Sequence, residues 1–159
     1  MIRVENLSVI YHVAGRDVYA AQDVSFTVKK GETFGIVGES GSGKSTVLRA
    51  IAGLVPSESA ALDVDGQPAA RRRSRADRRK LQFVFQDPYA SLHPRKTVDD
   101  ILREPLEIHR EAGIDERVSA AIADVGLLPI HRFRYPHQLS GGQRQRVAIA
   151  RALILRPPI

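Results

Sequence analysis

The 159-residue chain has no cysteine and no tryptophan, and only one methionine. Without cysteine, neither a disulfide framework nor a thiolate metal site can form, which suits a reducing cytosol. Long apolar runs are missing too. Val147 to Leu155 is broken by Arg151 and falls well short of the roughly 20 residues a bilayer span needs. The start, Met1-Ile2-Arg3-Val4-Glu5-Asn6, has no apolar stretch after a basic residue and does not read as a signal peptide. A soluble chain is expected, able to dock on a membrane protein.

What is present is enough for one ordinary domain: 43% hydrophobic residues and a formal net charge of +6. Much of the positive excess lies in Arg71-Arg72-Arg73-Ser74-Arg75-Ala76-Asp77-Arg78-Arg79-Lys80. A run like this is usually a solvated helix or loop face. It has no interleaved aromatics for base stacking, so it does not point to nucleic acid as a partner.

Ile2 to Tyr11 reads as a strand with an irregularity near Asn6, followed by a turn at Gly15-Arg16-Asp17 and a second strand over Val18 to Val28. In the latter, Val24, Phe26 and Val28 alternate with polar residues. Thr33 to Val37 is a short apolar strand, and Ser45 to Leu54 a helix closed by Gly53 and Pro56. Ala61 to Val64 with Asp65-Gly66 forms a strand and hairpin turn. Leu81 to Phe85 is a buried strand; Asp87-Pro88 and His93-Pro94 mark a loop. From Thr97 the pattern is helical. Thr97 caps a helix that Pro105 interrupts, Asp115 caps a second ended by Gly126, and Ser140 caps a third with an apolar stripe of Val147, Ile149, Ala150 and Leu153. The order is a β-rich start, a strand–loop–helix and then a helical segment, with no internal repeat.

Gly38-Glu39-Ser40-Gly41-Ser42-Gly43-Lys44-Ser45 fits the phosphate-binding loop pattern without a mismatch. A chance match in a chain this long is on the order of half a percent. Glycines let backbone N–H groups curl around anionic oxygens. The following helix, beginning through Thr46, adds its positive dipole end. Lys44 brings a point charge for the outer phosphates and the Ser45 hydroxyl suits Mg²⁺. ATP and Mg²⁺ are the expected ligands, with Gly38, Ser40, Gly41, Ser42, Gly43, Lys44, Ser45 and Thr46 around them.

About a hundred residues later comes Leu139-Ser140-Gly141-Gly142-Gln143, continuing Arg144-Gln145-Arg146-Val147-Ala148-Ile149-Ala150-Arg151-Ala152-Leu153. This stretch resembles the signature of ATP-binding-cassette ATPases. Its serine and two glycines open a helix and make a second anion site. The resemblance implies an α/β P-loop NTPase fold with an N-terminal antiparallel β subdomain and a helical signature subdomain. It divides the chain into a β-rich and P-loop core over 1–95, a helical subdomain over 96–139 and a signature helix over 140–156. It also implies a head-to-tail dimer in which Ser140, Gly142 and Gln143 contact the γ-phosphate held by a second cassette, identical or related. Gln86 looks like the family's glutamine that senses Mg²⁺ and the attacking water, so Lys44 and Gln86 are the catalytic candidates and Ser45 and Gln86 the metal candidates. Tyr11 sits where the family stacks a ring on adenine.

Phe85-Gln86-Asp87-Pro88-Tyr89-Ala90-Ser91-Leu92-His93-Pro94-Arg95, with Arg134-Tyr135-Pro136-His137-Gln138 and Glu104-Pro105-Leu106, is similar to the oligopeptide, dipeptide and nickel importer branch. The branch implies a peripheral subunit on the cytoplasmic face of the bacterial inner membrane, docked on transmembrane permease subunits and fed by an extracytoplasmic binding protein. The family's strand ending in Asp-Glu and its switch histidine lie beyond Leu155-Arg156-Pro157-Pro158-Ile159. His12, His93, His109, His131 and His137 all lie upstream of the switch and read as surface or loop histidines, with His137 a candidate hydrogen-bonding residue beside the signature helix. From this follow two expectations: these residues alone turn over little or no ATP, since the general-base role is unfilled, and alone they are marginally stable or aggregation-prone. Two alternative readings stand beside the importer: a nucleotide-binding fragment without turnover, and a nucleic-acid-associated protein on the same cassette.

Overall fold

The structure is a computed structural model that describes residues 1–70 and 72–159. Arg71, the first residue of the arginine run, lies outside the described residues. The chain forms two compact units, Met1–Leu81 with Pro158–Ile159, and Gln82–Pro157.

The first unit is built on a four-stranded sheet in the order β2-β1-β3-β4. Strands β1 (Ile2–Val13) and β2 (Arg16–Val28) form a long antiparallel hairpin. Its turn is Ala14-Gly15, both at positive φ (49° and 75°), the two-residue geometry that matches strand twist. Arg16 and Asp17, expected in the turn, instead pair with Val13 and His12. The core side of β1 carries Val4, Leu7 and Val9. The spacing from Val4 to Leu7 breaks strict alternation because Asn6 takes φ 50° and the register shifts there. Such a bulge inserts one residue and re-aims the strand. Its backbone is satisfied across the hairpin: the Asn6 N–H donates to Ser25 Oγ (2.9 Å) and the Asp23 N–H to Ser8 Oγ (3.0 Å).

Helix α1 (Lys44–Ile51) lays Val47, Ala50 and Ile51 on this core. It ends earlier than Leu54, in a Schellman cap. Gly53 sits at φ 71°, its N–H donates to the Ala50 carbonyl and the Leu54 N–H donates to that of Arg49. Strands β3 (Ala61–Val64) and β4 (Gln67–Pro68) make the expected small hairpin through Asp65-Gly66. The arginine run contains helix α2 (Arg75–Lys80), which has no buried residue and is capped by Ser74 with Asp77 in a reciprocal box. Arg73 departs from the solvated face: it is half-buried and donates to the Ile51 carbonyl at 2.7 Å.

Thr33 to Val37, expected as a strand, is irregular, with no ladder partner among the described residues. Leu81 to Phe85 is likewise irregular and belongs to no strand ladder among the described residues. A strand exists only where its N–H and C=O groups meet a neighbour, so apolar patterning alone does not create one. Phe34 is held by stacking on Phe26, with centroids 4.8 Å apart.

The second unit is helical. Helices α3 (Pro88–Ser91), α4 (Val98–Ile108), α5 (Ile114–Asp124) and α6 (Gly141–Leu153) surround one core, with two 3-10 turns, Pro129–Phe133 and Pro136–Gln138, leading into α6. Thr97 caps α4 as expected, with Asp100 closing the box. Helix α4 continues through Pro105, because Ile101, Leu102 and Leu106 are at most 1% exposed and their burial outweighs the backbone bond that proline cannot make. Gly113, not Asp115, occupies the cap of α5, at φ 65°. The residues buried on α6 are Arg144, Val147, Ala148, Ala150 and Ala152; Leu153, expected in the apolar stripe, is 57% exposed. Arg132 and Arg103 bind Asp99 and Asp115, tying the first 3-10 turn, α4 and α5 together.

Candidate functional site

The glycine-rich loop of the first unit runs into α1. Gly41 and Gly43 stand at φ 85° and 88°, a left-handed region that residues with a Cβ avoid. Gly43 is doubly constrained: a Cβ there would lie 2.1 Å from the Ala20 carbonyl oxygen of β2. At Gly38, a Cβ would meet Ser42 Oγ at 2.7 Å. No side chain caps α1, so its first N–H groups are left without a side-chain acceptor, the arrangement that suits an anion. Lys44 Nζ folds over the loop and donates to the carbonyls of Gly38 (2.9 Å) and Glu39 (2.5 Å) and to Ser42 Oγ (3.3 Å). Its charge is therefore positioned inside the curl of the loop. Ser40 and Ser45 are exposed and Thr46 is half-buried at the head of α1.

Tyr11 belongs to the same unit. It is 37% exposed and pairs with Val18 in the hairpin, two residues from the Val9–Ala21 pair beside the Gly43 contact. The hairpin thus carries Tyr11 past the end of the loop. Neighbouring His12 is exposed and its Nδ1 lies 2.6 Å from Asp17 Oδ1.

In the second unit, Ser140 caps α6. Its Oγ accepts from the Gln143 N–H (3.2 Å), and its own N–H donates to Gln143 Oε1 (2.8 Å). A Cβ at Gly141 or Gly142 would meet nothing within 4 Å, and neither has positive φ. The chain here does not need glycine for its own fold, and the open space above these residues could admit a ligand. Gln86 is exposed and precedes α3, which Asp87 caps through the Tyr89 N–H (2.8 Å).

Three residues here were not anticipated from sequence. Arg144 is 6% exposed, donates from Nε to the Pro136 carbonyl (2.5 Å) and places its guanidinium 3.7 Å from the centre of the Tyr89 ring. Arg151 donates to the Ser91 carbonyl at 2.6 Å, and burial lowers its guanidinium pKa. Together they fasten the segment after Gln86 to α6. An arginine on a helix beginning with polar residues reads as solvent-facing, and no local pattern signals otherwise. His131, read as a surface or loop histidine, lies in the connecting 3-10 turn but is only 7% exposed; its Nδ1 accepts the Leu128 N–H (2.9 Å) and its Nε2 lies 3.2 Å from Gln143 Nε2. His137 is exposed and stacks on Tyr135 at 5.6 Å.

The fold and these two helix-opening turns define a P-loop nucleotide-binding cassette. Its backbone is similar to a dimeric post-hydrolysis ATP-binding cassette, MJ0796, bound to ADP and Pi, with a TM-score of 0.87 at 32% identity over 99% of this chain and 71% of that one. It is also similar to cbiO1 of Clostridium perfringens, part of the ABC transporter complex cbiONQ, with a TM-score of 0.79 at 28% identity over 98% of this chain and 62% of that one. Residues 21–159 match the ABC transporter family, and the chain belongs to that family as part of its ATPase domain. It is 49% identical over 152 residues to the glutathione import ATP-binding protein GsiA of Escherichia coli K12, and 50% identical over 150 residues to GsiA of Shigella dysenteriae serotype 1. Each alignment covers 91% of this chain and 24% of the relative, so the chain spans about a quarter of the length of these curated relatives.

Proposed function

We propose that this chain is the nucleotide-binding part of an ATPase that energises a bacterial importer of the peptide class, with glutathione, other short peptides and nickel as the candidate cargoes. The observation that carries the reading is the loop of Gly38 to Ser45, with Lys44 Nζ already held over its own carbonyls and the Gly43 backbone pressed against Ala20. This arrangement favours a polyphosphate: when the phosphates arrive, Lys44 exchanges neutral carbonyl partners for charged oxygens, a stronger bond. The exposed Tyr11 ring supplies a face for the adenine.

The donor set suits Mg²⁺. Among the described residues no cluster of three or more His, Cys, Asp or Glu side chains exists that could cage a metal, and Mg²⁺ bound with nucleotide needs only one or two protein oxygens. Ser45 and Gln86 would provide a hydroxyl and an amide oxygen, and the ion would supply charge neutralisation at the phosphates. Gln86 orients the attacking water; Ser140, Gly142 and Gln143 face the γ-phosphate of a second, identical or related cassette. Each site is then complete only in the dimer. Among the described residues no helix is long and apolar enough to cross a membrane, which fits a peripheral subunit on the cytoplasmic face, joined to permease subunits and served indirectly by a binding protein. The relatives named for glutathione import support the importer branch over a nucleic-acid role.

The test is ATP binding and uptake by the intact protein in its host. Lys44→Ala is expected to abolish uptake of labelled glutathione or dipeptide and to lower ATP affinity. Unchanged ATP affinity sinks the nucleotide site; intact ATP binding with no turnover, even with a partner cassette, favours a binding module instead.

A further inference from the structure

Four groups line up at the start of α6 in a single hydrogen-bonded row: the Leu128 N–H, the His131 ring, the Gln143 side-chain amide and the Ser140 N–H. Their separations are 2.9 Å (Leu128 N to His131 Nδ1), 3.2 Å (His131 Nε2 to Gln143 Nε2) and 2.8 Å (Gln143 Oε1 to Ser140 N). Both ends are backbone donors. A neutral imidazole has one donor and one acceptor nitrogen, and a primary amide has one donor end and one acceptor end. A row of two such groups between two donors cannot be satisfied throughout: whichever tautomer the ring takes and whichever way the amide turns, one contact always sets N–H against N–H. The mismatch falls at Leu128, between His131 and Gln143, or at Ser140. With the Leu128 N–H on Nδ1 and the Ser140 N–H on Gln143 Oε1, the mismatch sits between His131 Nε2 and Gln143 Nε2; His131 is 7% exposed, so an unmade bond is costly there, whereas Ser140 is exposed and can be reached by an acceptor from outside.

We propose that His131 is a positioning residue for the signature turn: its Nε2–H competes with the Ser140 N–H for the carbonyl oxygen of Gln143, and a phosphate group accepting the Ser140 N–H lets the amide turn onto His131. An anion at that position removes one end donor, and the whole row is then satisfied. The signature turn is thereby biased towards an anion by a conflict that only an acceptor from outside resolves. This rests on the reading of Ser140 as a γ-phosphate contact given above.

The experiment is NMR of the intact protein with its partner cassette, ¹⁵N-labelled at histidine and serine, with and without saturating Mg²⁺–ATPγS. The expected result is that the Ser140 amide signal moves and, with it, the His131 Nε2–H signal shifts and becomes protected from exchange, the ring keeping the Nε2–H tautomer that the Leu128 N–H on Nδ1 imposes. A Ser140 shift with an unchanged His131 ring overturns the inference alone; no Ser140 shift removes the phosphate reading and the inference together. Kinetics give a second line. In His131→Asn the shorter amide keeps an acceptor for the Leu128 N–H and cannot reach Gln143. It is expected to raise the KM for ATP about fivefold, the worth of one hydrogen bond, with little change in Tm. In a Gln143→Ala background the same substitution is expected to do nothing further. Equal effects of His131→Asn in both backgrounds would reduce His131 to a structural role.

Discussion

The two glycine-containing turns are alike in sequence and opposite in construction. Both present serine and glycine at the start of a helix. In the phosphate loop the glycines answer to the chain itself: Gly43 has φ 88° and its missing Cβ leaves room for the Ala20 carbonyl, while α1 starts with no side-chain cap. In the signature turn the cap is a side chain, Ser140, and Gly141 and Gly142 adopt ordinary backbone angles with empty space beyond them. Glycine is thus required by the fold in one place and left free by it in the other. The same residue type carries different information, and substitutions should separate the two.

The largest separation is expected from Gly43→Ala. The left-handed backbone costs about 1–2 kcal/mol, and the collision with Ala20 raises the total to roughly 3 kcal/mol or more. A depressed melting temperature and lost ATP binding are the measurements, and a normal melt would break the contrast. Next is Lys44→Ala, which removes charge-assisted bonds worth about 1.5–3 kcal/mol, a loss of roughly 10–100-fold in ATP affinity by calorimetry with the melt little changed. Gly142→Ala inverts the pattern. A helical alanine should stabilise by up to about 1 kcal/mol, while turnover in the assembled dimer falls; a variant that melts higher and still hydrolyses ATP at the native rate would show that the open space serves nothing. Ser140→Ala removes a cap and should cost about 1 kcal/mol, read as a small drop in chemical-denaturation midpoint.

The smallest effect concerns pH. The Arg132 side-chain hydrogen bond, with Arg103 nearby, holds the Asp115 carboxyl below its ordinary range; Thr97 does the same for Asp100 and Ser74 for Asp77. Folded values lower than unfolded ones give stability that is present above the ordinary carboxylate range and lost as pH falls through the folded values. Asp115 is an exposed partner, so screening keeps its share small. Asp115→Asn should slightly flatten the acid side of the stability curve, measured by melts between about pH 3 and 7.

Much of this was legible because the informative residues act locally. The phosphate-loop spacing, the caps at Thr97 and Ser140 and the Asp65-Gly66 turn depend on a few adjacent positions. What was not legible depends on distant groups. Pro105 reads as a helix break until Ile101, Leu102 and Leu106 are seen fully buried. Arg144, Arg151 and His131 look solvated until the Pro136 carbonyl, the Ser91 carbonyl and Gln143 are brought to them. Thr33 to Val37 has strand character, but pairing is decided elsewhere in the chain.

The contact between Gly43 and the Ala20 carbonyl makes the first hairpin a gauge for the phosphate loop. The position of that carbonyl is fixed by the register of β2 on β1, including the bulges around Asn6 and Asp23. Lengthening the hairpin tip at Ala14-Gly15 leaves this height unchanged, whereas one added residue between Ala20 and Val28 would shift every later pair and bring a different carbonyl, or a side chain, to the glycine. Tolerance to insertion should therefore differ sharply between the hairpin tip and the body of β2, which holds none of the residues proposed to touch nucleotide.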